Sequence, residues 1–206
     1  MIITDISSQR NKNRVNIYID NKFAFGLTRE LLYKFDLSIN QELEESFIEN
    51  ILKAEEQSKV TNAALNLISY RQRSIKEIYE KLKGKGYDEV FINKSIEYCK
   101  EQNYLNDHQF AESFIRDKQN LNKFGSTRIR YELIKKGVSK DIIEETLNFD
   151  KDEEYNVALT LAQKKINSYK GQERNSIYRK LGGFLQRKGY PYDIVTKVLK
   201  ELLEGE

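Results

Sequence analysis

The sequence predicts a mainly α fold, a tandem array of three three-helix repeats preceded by a small N-terminal β-hairpin plus helix segment. Three observations predict it. The spacing Leu, three residues, Gly recurs at Leu82–Gly86, Leu133–Gly137 and Leu185–Gly189, with the glycines 51 and 52 residues apart, which is a repeat period. The match extends to both sides of this anchor. Before each Leu stands Ile78, Ile129 or Leu181 on the same helical face, and after each Gly come Phe91, Ile142 and Ile194, then Ile92, Ile143 and Val195, then Ile96, Leu147 and Leu199. Ahead of the repeats, Val15, Ile17 and Ile19, then Phe23, Phe25 and Leu27, alternate with other residues around Asp20-Asn21, as a hairpin does.

Each element has a local reason. Ile2, Ile3 and Ile6 supply a third strand, which a hairpin needs in water. Arg29 to Phe35 reads as a short helix, followed by an acidic helix over about 41–57 with Leu43, Phe47, Ile48, Ile51 and Leu52 as its apolar face. The first repeat begins near Thr61 with Ala64, Leu67 and Ile68. Its second helix opens on a capping box, Ser74 with Glu77, and carries Ile75, Ile78, Tyr79 and Leu82 as one stripe. Its third helix runs over about 88–100. In the second repeat Asn106 or Asp107 caps the first helix, the second runs from Ser126 to Gly137, and Ser139 caps the third. In the third, a long helix runs to about Tyr169, a second spans 173–188, and the sole proline, Pro191, opens the last. The recurring Gly is the residue that accepts the left-handed backbone closing a helix. Ser95, Thr146 and Val198, small or β-branched, suit close helix crossings. The expected divisions are 1–57, 58–103, 104–149 and 150–206, and short, locally connected helices imply an open row of bundles.

Composition removes several function classes. Only 39% of the 206 residues are apolar and 33% are charged, so each module buries a thin stripe and keeps wide solvated faces. No stretch reaches the roughly 18 apolar residues of a membrane span, and the first dozen residues carry Asp5, Arg10 and Lys12 without an apolar run, so a cytoplasmic protein without a secretory signal is expected. The one cysteine, Cys99, falls in the stripe Ile92, Ile96, Cys99 and reads as a small core residue in a reducing compartment. The one histidine, His108, follows a helix cap and reads as an exposed first-turn residue. One His and one Cys do not build the common zinc sets. Gly84 and Gly86 fall at a helix end and Gly182 and Gly183 inside a helix, without the spacing of a phosphate loop. Neither catalytic residues, cofactor nor metal is expected, and the chain does not read as an enzyme.

Net charge is only +3, but its distribution is uneven. Over the second repeat Arg116, Lys118, Lys123, Arg128, Arg130, Lys135, Lys136 and Lys140 face only Asp117 and Glu132. Over the third, Lys164, Lys165, Lys170, Arg174, Arg179, Lys180, Arg187 and Lys188 face Glu173 alone. Asp141, Glu144, Glu145, Asp150, Asp152, Glu153 and Glu154 form an acidic run between, broken by Lys151. Basic patches recurring with the repeats imply an aligned positive stripe, which suits nucleic-acid phosphates or an acidic protein surface. Solvated lysine-rich helices are the plain alternative for any one patch. Tyr79, Tyr131 and Tyr178 have rings able to stack on bases, but at helical spacing they read as core or boundary residues.

The segment from Ala64 to Leu147 resembles the RecX family of bacterial recombination regulators. The resemblance is carried by Ala64-Leu65-Asn66-Leu67-Ile68, the Ser74 to Leu82 helix with Gly86-Tyr87, Tyr104-Leu105-Asn106-Asp107, Phe110-Ala111, Phe114-Ile115-Arg116, Gly125, Ile129-Arg130, Glu132-Leu133 and Gly137-Val138. It continues through the third repeat and, with the N-terminal hairpin, looks like the form found in low-GC Gram-positive bacteria. Tyr104 departs from the family, many members having Gly there, which touches only the local loop. The resemblance implies a protein that binds the RecA recombinase, above all its filament on single-stranded DNA, and lowers its strand-exchange, ATPase and coprotease activities, with consequences for DNA repair, recombination and the SOS response; a monomer is expected. The residues expected to contact filament or DNA are Arg71, Arg73, Arg116, Arg128, Arg130, Lys135, Lys136, Arg174, Arg179, Lys180, Arg187 and Lys188. Two alternatives stand beside this one: a helical nucleic-acid binder acting without a recombinase, and a scaffold whose acidic segments 42–56 and 141–154 recruit a basic partner.

Overall fold

The computed structural model describes residues 1–204 and divides into two compact units, one formed by Met1–Tyr70 and Tyr79–Tyr104, the other by Arg71–Ile78 and Leu105–Glu206.

In the first unit, β1 (Ile3–Ser8), β2 (Arg14–Ile19) and β3 (Lys22–Thr28) form an antiparallel sheet in sequence order. The β2–β3 reversal is made by Asp20 and Asn21 at φ 48° and 62°, the left-handed pair of a tight hairpin turn for which Asp and Asn are suited. One face of the sheet buries Ile3, Val15, Ile17 and Leu27 against Leu31 of α1 (Arg29–Lys34), together with Leu43 and Ile51. Thr28 caps α1 by accepting from Leu31 N.

The next helix, α2, runs unbroken from Glu45 to Tyr70. The sequence suggested two helices here, ending near Gln57 and resuming near Thr61. No Gly or Pro separates them, and the apolar face simply shifts from packing on the sheet to packing on α4 (Glu89–Glu101). Ser95 lies buried at that crossing and bonds Gln57 and Thr61 at 2.8 and 2.9 Å, so the small residue serves the close approach foreseen for it. Cys99 is buried beside it on α4. Glu55 is only 3% exposed and accepts from Arg14 at 2.6 Å and from Thr28 N at 3.1 Å, joining α2 to the sheet.

Helix α3 (Ile75–Lys83) opens on the foreseen capping box: Ser74 Oγ accepts from Glu77 N at 3.2 Å and the Glu77 carboxylate accepts from Ser74 N at 3.3 Å. In the second unit, α5 (Asp107–Asn120), α6 (Ser126–Lys135) and α7 (Lys140–Thr146) enclose Phe110, Ala111, Ile115, Ile129, Leu133 and Ile143. Asn106 and Ser139 cap α5 and α7. The third bundle has α8 (Lys151–Ile166), a 3-10 turn over Asn167–Tyr169, α9 (Arg174–Lys188) and α10 (Tyr192–Glu204) around Ala158, Ala162, Leu181, Leu185, Val195 and Val198. His108 is 46% exposed in the first turn of α5, as expected. No helix among the described residues is long and apolar enough to cross a membrane.

Candidate interaction surface

Helices α6 and α9, the second helices of their repeats, carry most of the expected contact residues, and the structure fixes these helices through a joint that occurs twice. At the first joint the start of α3 sits on the end of α6. Ser74 Oγ donates to the Lys136 carbonyl at 2.6 Å, Lys76 Nζ donates to the Lys135 carbonyl at 3.3 Å, and Ile75 N donates to Asp107 Oδ1 at 2.9 Å. At the second, the start of α6 sits on the end of α9. Gly125 N and Thr127 N donate to the carbonyls of Lys188 and Gly189 at 3.0 and 3.1 Å, Arg128 Nη1 donates to the Arg187 carbonyl at 2.9 Å, and Ser126 N donates to Glu154 at 2.7 Å. At the second joint, amide hydrogens left unpaired at one helix start thus meet carbonyls left unpaired at another helix end, with the two dipoles favourably aligned; at the first, the Ser74 and Lys76 side chains supply the donors.

The repeating glycines close this joint. Gly137 and Gly189 have φ of 79° and 91°, and a Cβ at either would strike the neighbouring helix: 2.6 Å from Lys76 Cβ at Gly137, and 2.9 Å from Arg128 Cα at Gly189. Gly86 has the same backbone, φ 84°, but nothing among the described residues within 4 Å of where a Cβ would stand. Backbone conformation is one reason for these glycines; two of the three have a second.

Two of the joints' carboxylates are tuned by their surroundings. Burial acts to raise Glu77, but hydrogen bonds from Arg71 and Lys136, the positive charge of Lys136 and the Ser74 amide outweigh it and hold the carboxyl down at about 2. Lys136 reaches Glu77 at 2.9 Å and Arg71 at 3.0 Å. Glu154 is 5% exposed, and burial pushes its carboxyl up although Ser126 donates to it twice. Burial, with the charge of Glu154, pushes the Tyr190 hydroxyl up to about 12. The sequence marked Glu154 only as part of an acidic run; the carboxylate's burial depends on which helix start it meets, and nothing local signals that.

The expected contact residues fall into groups. Arg71 and Lys136 meet on Glu77, and Lys135 lies beside them with its ammonium 4.5 Å from the Tyr131 ring centre. Arg128 and Lys188 meet on the Phe124 ring at 3.7 and 5.3 Å, with Lys118 at 5.6 Å, and Arg128 also pairs with Glu132 at 3.0 Å. Arg179, Lys180 and Arg187 line one groove on α9. Arg116 is exposed and contacts Ser113, Arg73 is half-buried, and Arg174 stands exposed at the first turn of α9. Arg71, Lys136, Arg128 and Lys188 therefore hold the joints as well as presenting charge. Of the tyrosines expected at the core or its boundary, Tyr79 is half-buried, while Tyr131 and Tyr178 are 56% and 42% exposed, on the outer side of their helices, away from the Leu–Gly stripe. Ile134, 54% exposed, lies beside Tyr131 on α6. Among the described residues, no three His, Cys, Asp or Glu side chains group so as to hold a metal.

Comparison with known proteins agrees with this architecture part by part. A family model described as the regulatory protein RecX N-terminal domain matches residues 1–44, and models for the first, second and third RecX three-helix domains match 61–99, 106–147 and 152–199. The chain belongs to the RecX family. A regulatory protein RecX of Clostridium botulinum (strain Alaska E43 / Type E3) is 40% identical over 208 residues, covering 99% of this chain and 97% of the relative. The RecX of Clostridioides difficile (strain 630) is 39% identical over 204 residues, 98% of this chain and 96% of the relative. A crystal structure of regulatory protein RecX superposes with a TM-score of 0.80 at 30% identity, covering 100% of this chain and 99% of that one. RecX from Lactobacillus salivarius gives a TM-score of 0.66 at 33% identity over 72% of this chain and 97% of that one. The three three-helix domains and the N-terminal sheet are thus those of the family. The relatives are named regulatory proteins, not enzymes, and a regulatory role follows for this chain.

Proposed function

We propose that this chain is a cytoplasmic, monomeric regulator that binds the RecA recombinase and its filament on single-stranded DNA, and lowers the recombinase, ATPase and coprotease activities, and through them DNA repair and the SOS response. The observation that carries the reading is the family membership over nearly the whole chain, joined to the exposed cations of the second and third repeats. Two consecutive modules joined end to end by the same contact present cationic residues from each. Weak contacts linked in one chain reinforce one another, because the second forms at high effective concentration.

Recombinase ATPase activity on single-stranded DNA tests this reading. The protein should lower ATP turnover at near-equimolar ratio to recombinase. Reversing the charge of Arg130, Lys135, Arg179 and Arg187, whose side chains do not hold the joints, should weaken that inhibition about tenfold or more, since several surface contacts are lost together. Unchanged inhibition by the reversed variant at physiological salt removes the basic residues from the account.

A further inference from the structure

The third repeat carries an opening beside its second helix. Between the 3-10 turn and α9 lies a groove of about 360 Å³ lined by Tyr169, Ser176, Arg179, Lys180 and Arg187. Three cations, a phenol and a hydroxyl line it, and no carboxylate does. Its position explains an oddity of the sequence. Gly183 sits in the middle of α9, where glycine is disfavoured. Arg179 and Arg187 stand one turn before and one turn after it, and a Cβ at Gly183 would come within 3.2 Å of Arg187 Nη1. The missing side chain lets the Arg187 guanidinium lie down on the helix and leaves a gap between the two arginines.

In the register of the repeats, the place of Gly183 is taken by Tyr131 in α6 and by Glu80 in α3. In α6 the ring fills that place, Lys135 resting over it, and Thr127 stands in place of Arg179. The second repeat therefore has neither the glycine gap nor the first of the two arginines.

We propose that this groove is a binding site for closely spaced phosphate groups, with the Arg179 and Arg187 guanidiniums as bidentate donors across the Gly183 gap and Lys180 as a third charge. Guanidinium forks match phosphate oxygens in geometry as well as charge, and an acid-free lining leaves that charge uncompensated. Two sources supply this chemistry: the backbone of a nucleic-acid strand, where Tyr169 offers a stacking face for a base, and the polyphosphate of a free nucleotide. The site deepens the reading above by naming what one module grips, yet its test contains no recombinase, so the two stand or fall separately.

The test is binding of the full chain to a labelled single-stranded oligonucleotide and, separately, to ATP, over a salt series. The informative variant is Gly183→Tyr, which fills the groove as the second repeat does and changes no charge; Arg179→Gln with Arg187→Gln provides a second route should the tyrosine disturb the helix, which circular dichroism reports. Gly183→Tyr should weaken binding about tenfold, and the double variant should do so while lowering the slope of log affinity against log salt by about 2, one for each lost phosphate contact. Loss confined to the oligonucleotide assigns the site to a strand, and loss confined to ATP assigns it to nucleotide phosphates. Binding of neither ligand by the wild type, or equal binding by wild type and folded variants, overturns the proposal.

Discussion

Thr127 donates its backbone N–H to the carbonyl of Gly189 across 3.1 Å, so the first turn of one repeat's central helix completes the last turn of the next. A matching joint, made by the side chains of Ser74 and Lys76 on the Lys136 and Lys135 carbonyls, ties the start of α3 to the end of α6. These joints decide how the cations of α6 and α9 are held, and they make the recurring glycines unequal.

That inequality is measurable in urea. Gly86→Ala places a Cβ in open space and should cost only the left-handed backbone strain, about 1–2 kcal/mol. Gly137→Ala and Gly189→Ala add overlap with Lys76 and Arg128 and should each cost about 1–3 kcal/mol more. Equal losses at the three sites would mean that the joints adapt without penalty.

Glu77 gives the first joint an acid sensitivity. Its folded carboxyl lies at about 2 against an ordinary 4.5. A carboxyl lowered on folding contributes its full stabilisation above its ordinary value and loses it as pH falls toward the folded one. Stability of the wild type should therefore fall between about pH 4.5 and 2, and Glu77→Gln should be less stable at neutral pH with a flatter decline over that window. Urea midpoints across the range check it; parallel curves for the two proteins would contradict it.

Glu154 has the opposite sign. Burial raises its carboxyl, so ionisation works against folding, and its contribution weakens as pH rises from the ordinary carboxyl value toward the raised one. Glu154→Ala leaves the Ser126 amide and hydroxyl without their acceptor and should cost about 1–3 kcal/mol, whereas Glu154→Gln keeps an acceptor, sheds the buried charge and should cost less than half as much. Thermal melts at neutral pH distinguish the two.

In the first unit, Glu55→Ala should be among the most damaging single changes. It removes the carboxylate that both Arg14 and the Thr28 amide donate to and leaves a partly buried guanidinium without its counter-charge, a loss on the order of 3 kcal/mol. A loss below about 1 kcal/mol, in the range of an exposed pair, would show that the contact is surface-like.

What the sequence disclosed was what adjacent residues decide. The hairpin turn at Asp20-Asn21, the Ser74 and Glu77 capping box, the Asn106 and Ser139 caps and the left-handed glycines all answer to neighbours within a few positions, and all could be read. The joints pair residues such as Ser74 and Lys136, 62 positions apart, and nothing near either announces the other. For the same reason Glu55 and Glu154 looked like ordinary surface acids, and Tyr131, at helical spacing but on the outer side, read as core or boundary. The expected cations were found by counting charge, which cannot separate Lys136, engaged with Glu77, from Arg130, which pairs with no acid among the described residues. The Gly183 groove was visible only as a glycine in an unfavourable place.

The account turns on a protein-coated strand being the preferred target. Affinity for single-stranded DNA, measured bare and coated with recombinase over one salt series, tests it most directly. The account predicts clearly tighter binding to the coated strand at physiological salt, with the gain reduced by reversing Arg130, Lys135, Arg179 and Arg187. Binding that is as tight on the bare strand, falls steeply with salt and gains nothing from the coat would contradict it.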